Sequence, residues 1–241
     1  MHTRFRLLPA AFVWLAIPSG CGLVANDSAD VNLSVLEKQF SIDSTSWNVN
    51  GPAVTTLINQ SCIPEADSCA SVVSTLSTCK ASTCTAQCSA ATNKCQLSLR
   101  VELWRAINIV SEVPDLGSDN AQPMATLEVT LDDMTYEVFG NALSVDTSKL
   151  GVYVAPATGM GPGGEGAVRI AEIPAVPAST ELSPRSITFM PGGKELLRRR
   201  LSDYQVPFNL LIASELIVDQ ATPVPIGQLN ATLRMRGHAG F

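Results

Sequence analysis

The sequence predicts an all-β chain, folded as an antiparallel β-sandwich of Ig-like or jelly-roll-like type with one short helix. Three observations lead there. Apolar residues recur with period two over several long stretches. Clusters of Gly, Pro, Asn and Ser separate those stretches, and only one segment carries helical spacing. Composition agrees. Of 241 residues, 46% are hydrophobic and 16% charged, against roughly 25% charge in an average soluble chain. That is enough apolar material for one core, which excludes disorder as the main state. No heptad pattern supports a long coiled coil, and a net charge of −6 argues against a nucleic-acid partner.

Residues 97–109 (LSLRVELWRAINI) give the strongest strand. Leu97, Leu99, Val101, Leu103, Ile107 and Ile109 share one parity, whereas Ser98, Arg100, Glu102 and Asn108 share the other. Arg105 interrupts the apolar side next to Trp104, which predicts a bulge or a strand end there. Residues 125–139 alternate with a slip. Ala125, Leu127, Val129 and Leu131 have one parity and Met134, Tyr136 and Val138 the other. A bulge at Asp132-Asp133 or a two-residue turn between two strands accounts for the slip, and the turn is the favoured reading. On a regular strand adjacent side chains point to opposite faces, so these two acids are poorly placed to share a substrate. Further strands are read at Val31–Ile42, Leu150–Val154, Val168–Ile173, Arg185–Met190, Phe208–Val218 and Leu229–Arg236, making eight to ten in all. The helix is read at Lys194–Tyr204, with Leu197, Leu201 and Tyr204 on one side, Gly192-Gly193 before it and Pro207 after it.

Ahead of these strands lies an address. Residues 1–6 contain Arg4 and Arg6 and no acid, and residues 7–17 (LLPAAFVWLAI) are apolar. Eleven helical residues reach only about 16 Å, half a bilayer core, so they form a secretory signal rather than a span. The apolar run leads into Pro18-Ser19-Gly20-Cys21-Gly22. Small residues before a cysteine resemble the lipobox of bacterial lipoproteins, with Pro18 where that pattern prefers Leu. The resemblance implies cleavage before Cys21, acylation of Cys21, and anchoring in the bacterial cell envelope. The absence of Asp after the cysteine favours the outer membrane. The chain then divides into a signal peptide (1–20), a small polar tether (21–30, with GLVANDSAD at 22–30) and a sandwich domain (31–241). Losing Arg4 and Arg6 leaves 14 positive and 22 negative groups, a mature charge of −8. Attachment must then come from acyl groups rather than from the charge of the body.

Cysteine arithmetic fits that division. If Cys21 carries lipid, six others remain: Cys62, Cys69, Cys79, Cys84, Cys88 and Cys95, all within 34 residues rich in Ser, Thr and Ala. Such a segment buries too little to fold unaided, and three disulfides supply about 2–4 kcal/mol each. Fifteen pairings are open. A zinc site is disfavoured, because no C-x2-C pair occurs and His238 is the one histidine left after cleavage. The segment 62–95 is read as an insert in a loop of the sandwich.

No chemical constellation is complete. Gly159-Met160-Gly161-Pro162-Gly163-Gly164 satisfies G-x-G-x-x-G, but a strand-like run follows it where a dinucleotide site needs a helix. It is read as a flexible hairpin loop. A Ser/His/Asp set would depend on His238 near the chain end, and no G-x-S-x-G elbow exists. Under the lipobox reading the sequons at Asn26, Asn32, Asn59 and Asn230 are chance matches. The alternating C-terminal run loosely resembles the last strand of an outer-membrane barrel, but 5% aromatic residues cannot furnish the girdles. Lys194, Arg198, Arg199 and Arg200 form one basic cluster, a candidate anion contact on an otherwise acidic chain. No cofactor and no metal are expected. The reading is a lipid-anchored envelope protein with a binding or structural role toward an envelope protein or polymer, without catalysis. The alternatives are a carrier of an apolar ligand inside the β-domain and a hydrolase using loop carboxylates.

Overall fold

The computed structural model describes residues 31–32, 36–64, 68–76, 78–79, 83–113 and 128–240. The expected signal peptide, Cys21 and the expected tether lie outside them. Within them, eleven strands form two antiparallel sheets. The first sheet centres on β11 (Gln228–Gly240), which pairs on one side with β1 (Val31–Asn32) and β2 (Leu36–Asp43) and on the other with β5 (Glu128–Phe139). Beyond β5 lies β8 (Leu182–Ser186). The second sheet runs β3 (Cys84–Ser89), β4 (Lys94–Ile107), β10 (Phe208–Val218), β6 (Leu150–Pro156), β7 (Val168–Ile173), β9 (Thr188–Phe189). The all-β antiparallel sandwich is what the alternation predicts.

Alternate residues fill the space between the sheets. Leu97, Leu99, Val101 and Ile107 of β4 meet Leu210, Ile212 and Leu216 of β10 on one side, and Phe40, Met134, Tyr136 and Leu233 come from the other sheet. Arg105 does not break β4, contrary to the expectation of a bulge or strand end. The ladder with β10 continues in register through Ile107, because the Arg105 guanidinium lies over the Phe40 ring at 5.4 Å, where its charge meets the π face.

The two-strand reading of residues 125–139 is corrected likewise. β5 is continuous, and its ladder with β11 jumps between Arg236, opposite Asp133, and Gly237, opposite Leu131. Asp132 is the extra residue of a bulge, so the parity slip needs no turn. The bulge also places both acids on the outer side of the sheet. Asp133 pairs with Arg236, and Asp132 stands 3.4 Å from His238, two residues farther along the same face of β11.

Three helices fall outside the sequence reading. α1 (Gly51–Asn59) begins where Asn50 accepts the Ala53 N–H and Pro52 occupies the first turn. α2 (Ser68–Leu76) packs on β3, and the single turn α3 (Ile109–Glu112) follows β4. α1 and α2 pack against β4 and β3, with Val54, Leu57 and Cys69 fully buried. The cysteine-rich segment is therefore woven into the sheet and core rather than hung from a loop. It supplies α2, β3 and the start of β4. α4 (Gly193–Ser202) matches its expected place to within two residues. Gly193, Leu197 and Leu201 are buried, against β5 and β7.

Candidate functional site

The six cysteines form three pairs: Cys62–Cys88, Cys69–Cys95 and Cys79–Cys84, with Cα separations of 5.8, 5.6 and 6.4 Å. Each lies within the span of a disulfide. The first two bonds tie the helical side of the core to β3 and β4. The third closes the approach to β3.

The basic cluster is less free than its sequence suggests. Glu195 accepts from Arg198 at 2.7 Å and from Arg199 at 3.0 Å. Those hydrogen bonds, Arg198 first, hold its carboxyl down at about 2. Lys194 Nζ donates to the Asp132 carbonyl at 3.3 Å. The sequence reading missed Glu195, although its i, i+3 and i, i+4 spacing to the two arginines is visible in the chain.

A cavity of ≈ 460 Å³ lies on the outer face of the second sheet. Its floor is low because two small residues, Gly151 of β6 and Ala213 of β10, stand opposite each other. Arg100 and Glu102 of β4 form one wall, and Tyr153 and Arg169 the other. A Cβ at Gly151 would stand 2.7 Å from Tyr153 Cε2 and 3.0 Å from Arg169 Nε, so both side chains fold inward over the missing methyl.

The glycine-rich segment closes one end of this groove. It is the β6–β7 hairpin connection, a series of turns laid back across the sheet. Buried Asn209 of β10 fastens it by donating to the carbonyls of Ala157 at 3.0 Å and Gly159 at 2.8 Å. Pro162 and Gly163 line the cavity, and the Gly161 backbone comes up to the Glu102 carboxylate. No helix starts at its third glycine, and no dinucleotide cradle forms.

Charge in the groove is of two kinds. Glu172 bridges Lys149 at 2.8 Å and Arg169 at 2.7 Å, and the hydrogen bond from Lys149 leads in lowering its pKa. Arg100, Glu102 and Glu215 have no ion-pair partner within 4.0 Å among the described residues. Arg100 stands opposite Glu215 and two residues before Glu102. A slot of ≈ 310 Å³ shares Arg100 and Glu102 and is bounded by Trp47, whose indole N–H donates to the Arg100 carbonyl at 2.8 Å.

No protein-family model, curated protein or solved structure matches this chain. The groove must therefore be read from its own chemistry: a cation flanked by two carboxylates, a phenol, and a floor of small residues on a rigid sheet. Sequence reasoning had Arg100 and Glu102 on the polar parity of β4 but had no means of pairing them with Gly151, Tyr153 or Glu215. That pairing depends on strand order.

Proposed function

We propose that the protein is a lipid-anchored component of the bacterial cell envelope, held at the outer membrane by acyl groups on Cys21. In this reading its sandwich binds an envelope protein or polymer through the groove on the second sheet. The observation that carries the binding reading is the unpaired set Arg100, Glu102 and Glu215 over the Gly151–Ala213 floor. Charged groups left without internal partners on a rigid strand face are available to a ligand carrying both signs, such as a peptide segment.

The carrier reading asks for an apolar internal cavity of about 300 Å³ or more. The two described cavities of that size are lined by Arg100 and Glu102, and the apolar one beneath Leu201 is ≈ 10 Å³. That favours binding at the surface. The hydrolase reading keeps one specific support. Glu102 and Glu215 are diagonal neighbours on adjacent strands, about 7–8 Å apart at such positions, with Arg100 between them.

Two measurements test the proposal. Globomycin, which blocks lipoprotein signal cleavage, should leave an unprocessed chain, and the intact mass of the membrane-extracted protein should report acyl groups. Processing that ignores the drug ends the anchoring claim. For the groove, Arg100→Ala should abolish crosslinking of an envelope partner through a photoreactive group beside the groove, while the fold persists by circular dichroism. Turnover of an envelope polymer that is lost in both Glu102→Gln and Glu215→Gln would favour the hydrolase instead.

A further inference from the structure

One end of the sandwich gathers features that nothing in the groove uses. β2 starts there, and β11 ends there with β1 beside it. β4 ends and β10 starts at the same level, Ile107 opposite Phe208, with β6 ending at Pro156. The Lys38–Glu112 ion pair at 2.7 Å ties the start of β2 to α3, which fixes the two sheets in the same sense. α4 crosses this end. Its Leu201 meets Leu36, Val129 and Met235, and Arg200 lies beside that buried side with its Nε enclosed, which leaves Lys194, Arg198 and Arg199 on the outward side. Around it Val110, Met160, Val168 and Val206 are 36–58% exposed.

The opposite end has another character. Asp43, Asp146, Glu181 and Asp219 each accept a backbone N–H in the turns there, at 2.7–2.9 Å. At the α4 end carboxylates are also present: Glu195, Asp203, Glu128 and the Asp132-Asp133 bulge. Arg198 and Arg199 meet Glu195, Arg198 also feels Glu128, Arg236 meets Asp133, and His238 stands beside Asp132. The two ends thus differ. One is roughly balanced and rich in arginine, and the other is acidic.

Chain length decides which end can face a bilayer. From Cys21 to Val31 there are ten residue steps, a fully extended reach of at most about 36 Å. β4 alone has 14 residues, about 46 Å of strand at ~3.3 Å each. A tether entering at β1 is too short to run the length of the body and return to a membrane at the far end.

We propose that the α4 end of the sandwich lies against the membrane, with Lys194, Arg198 and Arg199 seated on the headgroups of anionic phospholipids. This rests on acylation of Cys21. Side-chain ammonium and guanidinium groups take lipid phosphate as donors, and the exposed aliphatic residues beside them suit the headgroup boundary. An acidic body held near a negative surface turns its acidic end away.

The test uses the full acylated protein, extracted from membranes and reconstituted in vesicles of phosphatidylethanolamine with phosphatidylglycerol. Lysine acylation read by mass spectrometry compares Lys194 with Lys149, which lies along the strands and is 69% exposed at its side chain. We expect Lys194 labelling to fall about tenfold against detergent micelles, with Lys149 unchanged. The fall should vanish in phosphatidylcholine vesicles and in the Arg198→Glu/Arg199→Glu variant, whose acyl mass should remain. Acylated protein whose Lys194 reacts equally in micelles and anionic vesicles overturns the orientation alone. Equal protection in neutral vesicles, or protection by a soluble anionic polysaccharide in place of vesicles, overturns the phospholipid contact. A mass without acyl groups overturns the anchoring and this inference together.

Discussion

Cys88 and Cys95 stand directly opposite each other on the β3–β4 hairpin, yet each is bonded elsewhere, Cys88 to Cys62 and Cys95 to Cys69. Opposed residues on antiparallel strands are about 4.5–5.5 Å apart at Cα, within reach of a disulfide. Closing the hairpin bond costs about 1 kcal/mol less chain entropy than closing a 26-residue separation. We expect Cys88–Cys95 to form early during oxidative refolding and to give way to the two native bonds by thiol–disulfide exchange, faster with a disulfide isomerase present. Alkylation trapping with peptide mapping reads the order. Native Cys62–Cys88 and Cys69–Cys95 accumulating with no trapped Cys88–Cys95 would refute it.

The three bonds should not contribute equally. Cys69–Cys95 closes a separation of 26 and is buried at both ends, whereas Cys79–Cys84 closes one of 5. Loop-closure entropy gives about 3.5 kcal/mol for the long loop and about 2 for the short one. Cys69→Ala/Cys95→Ala should therefore lower the urea midpoint clearly more than Cys79→Ala/Cys84→Ala. Equal midpoints would mean that the entropic account fails for this fold.

Much of this architecture was legible in the sequence, and the failures have physical causes. The β4 segment was found because its alternation survives, whereas β7 and β10 were found as apolar runs bounded by turn residues, the first six residues of β10 being buried on both faces. The Asp132 bulge was misread as a turn because parity alone cannot distinguish an extra residue from a reversal. Its position is set by Arg236 and Gly237 on β11. α2 was missed because disulfides substitute for a strong apolar stripe there, and α1 was missed although Val54, Leu57 and Ile58 share one side and Asn50-Gly51-Pro52 was a usable start signal. The groove was not legible at all, since its walls come from four strands whose order no local pattern encodes.

Glu195 offers a pH test of the helix at the chain's arginine-rich end. Its folded pKa of about 2 lies below its ordinary 4.5, through the hydrogen bonds from Arg198 and then Arg199. A depressed carboxyl contributes to stability above its unfolded pKa, and that contribution is lost as pH falls toward the folded value. The window is pH 4.5 to 2. NMR titration should find the Glu195 carboxyl still ionised at pH 3. On the proposed membrane contact, Glu195→Gln should raise the protein's affinity for anionic vesicles at neutral pH by freeing both guanidinium groups. A carboxyl titrating near pH 4.5 would show that the two arginines do not hold it in solution.

Two glycines separate the groove from the scaffold. At Gly227, with φ +92°, a Cβ would stand 2.0 Å from the Ala142 carbonyl oxygen, and backbone on both sides cannot yield. Gly227→Ala should therefore cost about 3 kcal/mol or more by urea unfolding. At Gly151 the obstacles are the ends of side chains, Tyr153 Cε2 and Arg169 Nε. Gly151→Ala should cost only about 1 kcal/mol, because Tyr153 can swing off the floor. The phenol then becomes accessible, so tetranitromethane should nitrate Tyr153 faster than in the parent, while buried Tyr136 stays protected as the internal control. The methyl also fills the floor between Ala213 and the walls, so crosslinking of a groove partner should fall with it. A Gly151→Ala protein with unchanged Tyr153 nitration and undiminished crosslinking would remove the groove from consideration, whatever its stability.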